Sequence, residues 1–251
     1  MQCLLLTCYC FLNDMKIKNL KEPQRLPLLL LIIAAVVSYL LPLVPFGNYI
    51  VWPFVILTTY IHEMGHGLMA IIVGGDFNKL LIYSNASGTA VYSGVSGSLA
   101  LASVAAGGLL APSIAGGIFI LSGTSRRYST YVYSMLILLM LISLLLWVRS
   151  LYGFVMIGVM CIVLFIIATK VSNVWQQFLI QFLGVQMLAD TLSRTSRYLF
   201  TELVGSDSKL QHSDTSSIAL QLGGTYWLWG SLIFILCIAI FVFSIRHSYF
   251  K

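Results

Sequence analysis

The chain has 251 residues, of which 59% are hydrophobic and only 9% are charged. Soluble domains carry about 25% charged residues, so this composition excludes an ordinary globular protein and predicts a multi-pass integral membrane protein surrounded by lipid bilayer. The net charge of +6 is spread in short clusters between apolar runs, which indicates topology signals and lipid headgroup contacts rather than nucleic-acid binding.

The chain is predicted to begin with an N-terminal segment, residues 1–25, followed by a single transmembrane domain over residues 26–247. The opening stretch MQCLLLTCYCFLND lacks the basic start and the small-residue cleavage site of a signal peptide. Met15 is therefore an alternative start to Met1. Three cysteines cluster there without a Cys-x-x-C pair, so no metal site is predicted in this segment.

A membrane-spanning helix needs about 20 apolar residues, and the chain offers six or seven such stretches. The stretch 96–122 is rich in Gly, Ala and Ser, with Pro112 in the middle. It is therefore either one kinked span or a re-entrant pair. The predicted fold class is an all-α polytopic membrane protein with spans at 26–46, 50–73, 96–122, 128–148, 153–169, 174–192 and 225–245.

Two stretches of the chain depart from this helical pattern. Residues 79–83 and 89–92 are β-prone and flank the turn sequence Ser-Asn-Ala-Ser-Gly at 84–88. This pattern predicts a short β-hairpin over about 76–93, with an irregular loop as the alternative. The polar stretch 193–217 is predicted to be a loop.

The second predicted span contains His62-Glu63-Met64-Gly65-His66. Ionisable residues are costly in lipid, so their presence inside a span indicates function. On a helix the two histidines lie at i and i+4 on one face, where both can bind one Zn²⁺, and Glu63 can act as general base toward a water. The alternative is a group of polar residues that pair with one another in a helix interface.

A catalytic zinc takes three protein ligands and leaves one position open. The candidates for the third ligand are His212, His247, Cys161, Cys237, Glu202 and Asp190. Asp190 is predicted, because it is the acidic residue besides Glu63 that lies within an apolar span, and a metal would be a suitable partner there. The alternative for Asp190 is a position at the membrane interface or an ion pair with Arg194, one turn later.

The sequence resembles the M50B-like branch of the site-two-protease clan, a group of intramembrane zinc metallopeptidases. The resemblance rests on the motif with its flanking Tyr60 and Gly67, on Gly74-Gly75, on the Gly- and Pro-rich helix that follows, and on the late span ending at Asp190. It implies His62, His66 and Asp190 as zinc ligands, Glu63 as general base, and Gln186 as an amide one turn before the Asp. The chain departs from the family pattern at Asp190, where Thr191 replaces the usual Gly.

The predicted function is therefore intramembrane hydrolysis of peptide bonds in transmembrane protein substrates, by a zinc-activated water with Glu63 as general base. The main alternative is a non-catalytic scaffold that binds membrane proteins and retains a metal site. A metal transporter is a third possibility, but it would need polar residues along several spans. Glu63 distinguishes the peptidase from the scaffold, because a scaffold has no need of a general base beside its metal ligands.

Overall fold

The computed structural model describes residues 22–194, 200–206 and 209–250, which form a helical bundle with two small hairpins. The predicted N-terminal segment 1–25 lies outside the described residues, except for 22–25. The helices are α1 (Glu22–Leu40), α2 (Gly47–Ile72), α3 (Ser98–Ser122), α4 (Arg126–Leu146), α5 (Leu151–Lys170), α6 (Asn173–Arg194), α7 (Asp214–Leu222) and α8 (Tyr226–Tyr249). The strands are β1 (Asp76–Ile82), β2 (Gly88–Ser93), β3 (Leu203–Ser206) and β4 (Lys209–His212).

Within the described residues, five helices are long and apolar enough to cross a membrane, namely α2, α3, α4, α5 and α8. The predicted number of six or seven spans is therefore not confirmed. The stretches predicted as spans at 26–46 and 174–192 do form helices, α1 and α6, but neither is among the five. Helix α6 has a low mean hydropathy because it contains the polar residues Gln176, Gln181 and Gln186, whose side chains are buried.

Helices α2 and α3 lie at the centre of the bundle. They are 61% and 56% buried, whereas α4, α5 and α8 are less than 30% buried and present apolar side chains outward. The two central helices approach closely because Gly65 faces the backbone of Gly107, where even a methyl group would lie 2.5 Å from a carbonyl oxygen. Small residues permit such close packing between membrane helices. The stretch 96–122 is thus resolved as one continuous helix that contains Pro112.

The predicted hairpin after the motif helix is confirmed as the antiparallel pair β1–β2. Leu80 in β1 pairs on its outer side with the loop after α4: its amide donates to Trp147 at 2.7 Å, and its carbonyl accepts from Arg149 at 3.0 Å. Ala90 is the partner of Leu80 across the hairpin. The backbone groups of Ala90 therefore point outward from the opposite edge, along β2.

The prediction of a polar loop over 193–217 is wrong in part. The described residues of this stretch include a second antiparallel hairpin, β3–β4, and the first turn of helix α7. Ser213 caps α7, because its hydroxyl accepts a hydrogen bond from the amide of Ser216 at 3.2 Å. A polar segment therefore forms regular structure immediately before the last span, and its short helix packs on α3.

Candidate metal centre

The motif His62-Glu63-Met64-Gly65-His66 lies in the second half of α2. Helical spacing places the two imidazoles on one face, and their Nε2 atoms are 3.1 Å apart. The His66 side chain is buried more deeply than that of His62, with 10% against 25% of its surface exposed. One side of the pair thus remains open to an incoming group.

The orientation of His66 is set by helix α3. Its Nδ1 lies 2.8 Å from the carbonyl oxygen of Val104, and a carbonyl can only accept, so Nδ1 donates its proton there. This fixes the tautomer and leaves a lone pair on Nε2, the arrangement typical of a metal-binding histidine. Gly108 makes room for the ring, since a methyl group at that position would overlap it.

A carboxylate also lies beside the two histidines. Oδ2 of Asp214 is 3.2 Å from Nε2 of His62 and 3.4 Å from Nε2 of His66. Four ligands at about 2.0–2.1 Å from a zinc ion in tetrahedral geometry lie about 3.3 Å from one another. The three separations, 3.1, 3.2 and 3.4 Å, therefore fit three corners of such a site.

The donor set also has the right chemistry for a cation. The Nε2 lone pair of His66 faces a carboxylate oxygen and a second imidazole nitrogen, and two acceptors repel each other unless a proton or a metal lies between them. When a proton rather than a metal lies between these atoms, burial would raise the pKa of Asp214, but the positive charge of His66 and His62 outweighs this effect and lowers it below its usual range. A carboxylate that stays ionised is the form that binds metal.

Asp214 reaches the histidines because it begins helix α7. Its neighbour Ser213 is the N-cap, and Ile218 packs against Ala102, Ala105 and Leu109 of α3. Since the Val104 carbonyl of α3 also accepts a hydrogen bond from His66, the same helix supports candidate ligands from two distant parts of the chain.

Glu63 lies beside this group and is held by the first hairpin. Its Oε2 accepts a hydrogen bond from the amide of Ala90 at 2.7 Å. Gly88 packs directly on the Glu63 side chain, where a methyl group would overlap it. The hairpin is fixed to α2 a turn earlier, where the hydroxyl of Thr59 donates to the carbonyl of Ala86 at 2.8 Å.

The structure brings His62 and His66 together as the sequence predicts, but it replaces Asp190 with Asp214 as the third member. Asp190 lies near the end of α6, is half-buried and does not belong to the group. The predicted alternative, an ion pair with Arg194, involves a side chain outside the described part of the structure. Gln186, one turn before Asp190, is buried within α6.

The other candidates for the third ligand also lie elsewhere. His212 ends β4 and lies 3.1 Å from the Ser216 hydroxyl, and His247 stacks on Phe243 in α8. The structure does not place Asp190 with the two histidines, and the sequence pointed to Asp190 because it required the acid to lie inside an apolar span. A signal for Asp214 does exist in the sequence, since Ser213-Asp214 is a typical helix start with an acidic residue in the first turn.

The family model described as Peptidase M50B-like matches residues 29–244, which is most of the chain and includes His62, His66 and Asp214, the three residues that could hold a metal ion. No curated protein and no solved structure matches the chain at a significant level.

Proposed function

The chain belongs to the Peptidase M50B-like family, and from this premise we propose that it is an intramembrane zinc metallopeptidase. The proposed ligands are His62, His66 and Asp214, and the proposed general base is Glu63. The observation that carries the proposal is the convergence of three candidate metal-binding atoms within 3.1–3.4 Å of one another. Two of them lie on a helix of membrane-spanning length, and the third lies at the start of the short helix α7.

A zinc ion held by these residues would activate a water molecule and polarise the carbonyl of the bond to be cleaved. Glu63 is suited to accept the proton of that water, because it follows the first ligand on the same helix and its carboxylate is held by a backbone amide. It then gives the proton to the amine that leaves. One water is consumed, a C–O bond forms, and the C–N bond breaks.

The proposed substrate is a membrane-embedded protein segment. The peptide groups of a transmembrane helix are hydrogen-bonded within the helix, so the segment must unwind before a peptide bond can be attacked. The outer edge of β2 supports binding of the unwound segment as an added strand, since the Ala90 carbonyl points outward there. The Ala90 amide is bound to Glu63 and would not take part in this pairing. A strand paired with β2 would pass next to the general base.

The proposal is tested by measuring metal content and cleavage of a model transmembrane substrate in matched variants. Glu63→Gln should keep zinc but lose at least about 10²-fold in kcat, because the base is removed and the ligands remain. His66→Ala should lose both metal and activity. Loss of zinc from Glu63→Gln would instead make Glu63 a ligand or a structural residue.

The same experiment tests the alternative function. A scaffold that binds membrane proteins without cleaving them would hold zinc, bind the substrate, and show no difference between wild type and Glu63→Gln. That result would overturn the peptidase proposal while leaving the metal centre intact.

A further inference from the structure

The face of the first hairpin that contacts α2 contains an aromatic residue that the proposed reaction has not used. Side chains alternate between the two faces of a strand, so Gly88, Ala90 and Tyr92 share one face of β2. Gly88 packs on Glu63, which identifies this face as the one toward the site. Phe77, the direct partner of Tyr92 across the hairpin, packs on Gly67, next to His66.

Tyr92 therefore lies at the border of the candidate metal centre. It is 36% exposed, although the other aromatic residue of its pair, Phe77, is buried. Both burial and the negative charge of Asp214 raise the pKa of the Tyr92 phenol. The phenol is thus in the electrostatic field of the third ligand, and it keeps its proton at neutral pH, so it can donate a hydrogen bond.

Peptide hydrolysis is accelerated by a group of this kind in addition to the metal. As water attacks the carbonyl carbon, negative charge develops on the carbonyl oxygen, and hydrogen-bond donors aimed at that oxygen lower the barrier. The proposed ligands present lone pairs toward the centre, and Glu63 acts as an acceptor. The hydroxyl of Tyr92 is a neutral donor on the hairpin face that contacts Glu63.

We propose that Tyr92 is a catalytic residue whose hydroxyl donates a hydrogen bond to the carbonyl oxygen of the cleaved peptide bond as its negative charge develops. This inference rests on the proposed peptidase function. Tyr92 keeps its own proton throughout, since the proton released by the water passes through Glu63 to the leaving amine. The same strand thus places the base, through Ala90, and the donor, two residues further on.

The test compares Tyr92→Phe with wild type, and uses Tyr83→Phe as the matched control. Tyr83 is exposed and lies at the turn of the same hairpin. Tyr92→Phe removes one oxygen and keeps the ring, so it should keep zinc and a KM within about twofold, while kcat falls about 10²-fold. Tyr83→Phe should change neither. A raised KM with unchanged kcat would overturn the proposal, because Tyr92 would then only contact the substrate.

A binding measurement separates this proposal from the peptidase function itself. A phosphinic peptide carries a tetrahedral anionic group resembling the transition state, so its Kd should rise about tenfold or more in Tyr92→Phe. If zinc-loaded wild type cleaves nothing but shows this difference in Kd, the peptidase function fails, and the difference shows that the Tyr92 hydroxyl donates to a tetrahedral anion without a catalytic role. If wild type cleaves and Tyr92→Phe matches it in kcat and in Kd, only the role of Tyr92 fails.

Discussion

The first hairpin, β1–β2, contacts the helix that carries the motif, whereas the second, β3–β4, leads into the helix that carries Asp214. The first acts through its own groups: the Ala90 amide binds Glu63, and the Ala86 carbonyl binds Thr59. The second hairpin acts by positioning the start of α7, since the amide of Ser213, the residue just before α7, donates to the Glu202 carbonyl at 3.0 Å. Separate parts of the chain thus position the proposed base, Glu63, and the proposed third ligand, Asp214, so mutations should affect the two independently.

The largest effect on zinc binding is expected from removing the Asp214 carboxylate, which follows the second hairpin in the chain. Asp214→Ala leaves two histidines, too few protein ligands for a catalytic zinc site. Even partners that only orient a ligand change metal affinity by about 10–100-fold, so loss of a ligand should weaken zinc binding by more than about 100-fold. The measurement is the zinc Kd of the purified protein, determined by competition with a chelator.

The matched control is Asp190→Asn, which neutralises the acid on α6 with little change of shape. It should keep a zinc Kd close to that of wild type, because Asp190 does not belong to the group formed by His62, His66 and Asp214. Loss of zinc from Asp190→Asn together with normal zinc in Asp214→Ala would restore the assignment made from the sequence and refute the one made from the structure.

A substitution in the first hairpin, Gly88→Ala, is expected to have a smaller effect, on kcat rather than on zinc binding. In Gly88→Ala the new methyl group would overlap Glu63, so the carboxylate must move away from the Ala90 amide. A displacement of about 1 Å near the reacting atoms can cost about 10²-fold, so kcat should fall by up to this factor while zinc content stays normal. Measuring kcat and zinc content on the same preparation checks this.

Gly158→Ala provides the control for that substitution. Gly158 lies in α5, and a methyl group there meets no atom within 4 Å. Its kcat and zinc content should both match those of wild type. If Gly88→Ala also lost zinc, the hairpin would support the ligands as well as the base, and the separation between the two hairpins would not hold.

Sequence reasoning located the motif and the first hairpin because both are local patterns. Helical spacing defines the two histidines, and two β-prone runs around a Ser-, Asn- and Gly-containing turn define β1–β2. The proposed third ligand is not local, since Asp214 follows His62 by about 150 residues and lies on a nine-residue helix. Periodicity within apolar spans contains no information about which polar connection folds back onto α3.

The number of spans was uncertain for a related reason. Helix α6 contains three glutamines whose side chains are buried among neighbouring helices, and two of them form hydrogen bonds there. Gln181 donates to the Tyr249 hydroxyl at 2.7 Å, and Gln176 donates to the Val171 carbonyl at 2.9 Å. A helix that satisfies its polar groups inside a bundle has low mean hydropathy, so length and composition do not settle whether it crosses the membrane.

The smallest expected effect concerns the start of α7. The Ser213 hydroxyl accepts from the Ser216 amide, and removing an N-cap of this kind costs about 1 kcal/mol. Asp214 is the first residue of the helix, so a frayed first turn must be reordered when the carboxylate binds metal. Ser213→Ala should therefore raise the zinc Kd about fivefold, which is that free energy expressed as a ratio, with unchanged zinc content at saturation.

Ser217→Ala is the control, since this half-buried serine lies in the same helix beyond the cap. Its zinc Kd should equal that of wild type. An equal Kd for Ser213→Ala and wild type would show that packing of Ile218 on α3 alone is sufficient to position Asp214. A loss as large as that of Asp214→Ala would mean instead that the whole of α7 detaches without its cap, and the second hairpin would then support the ligand set through α7 as a unit rather than through its first turn.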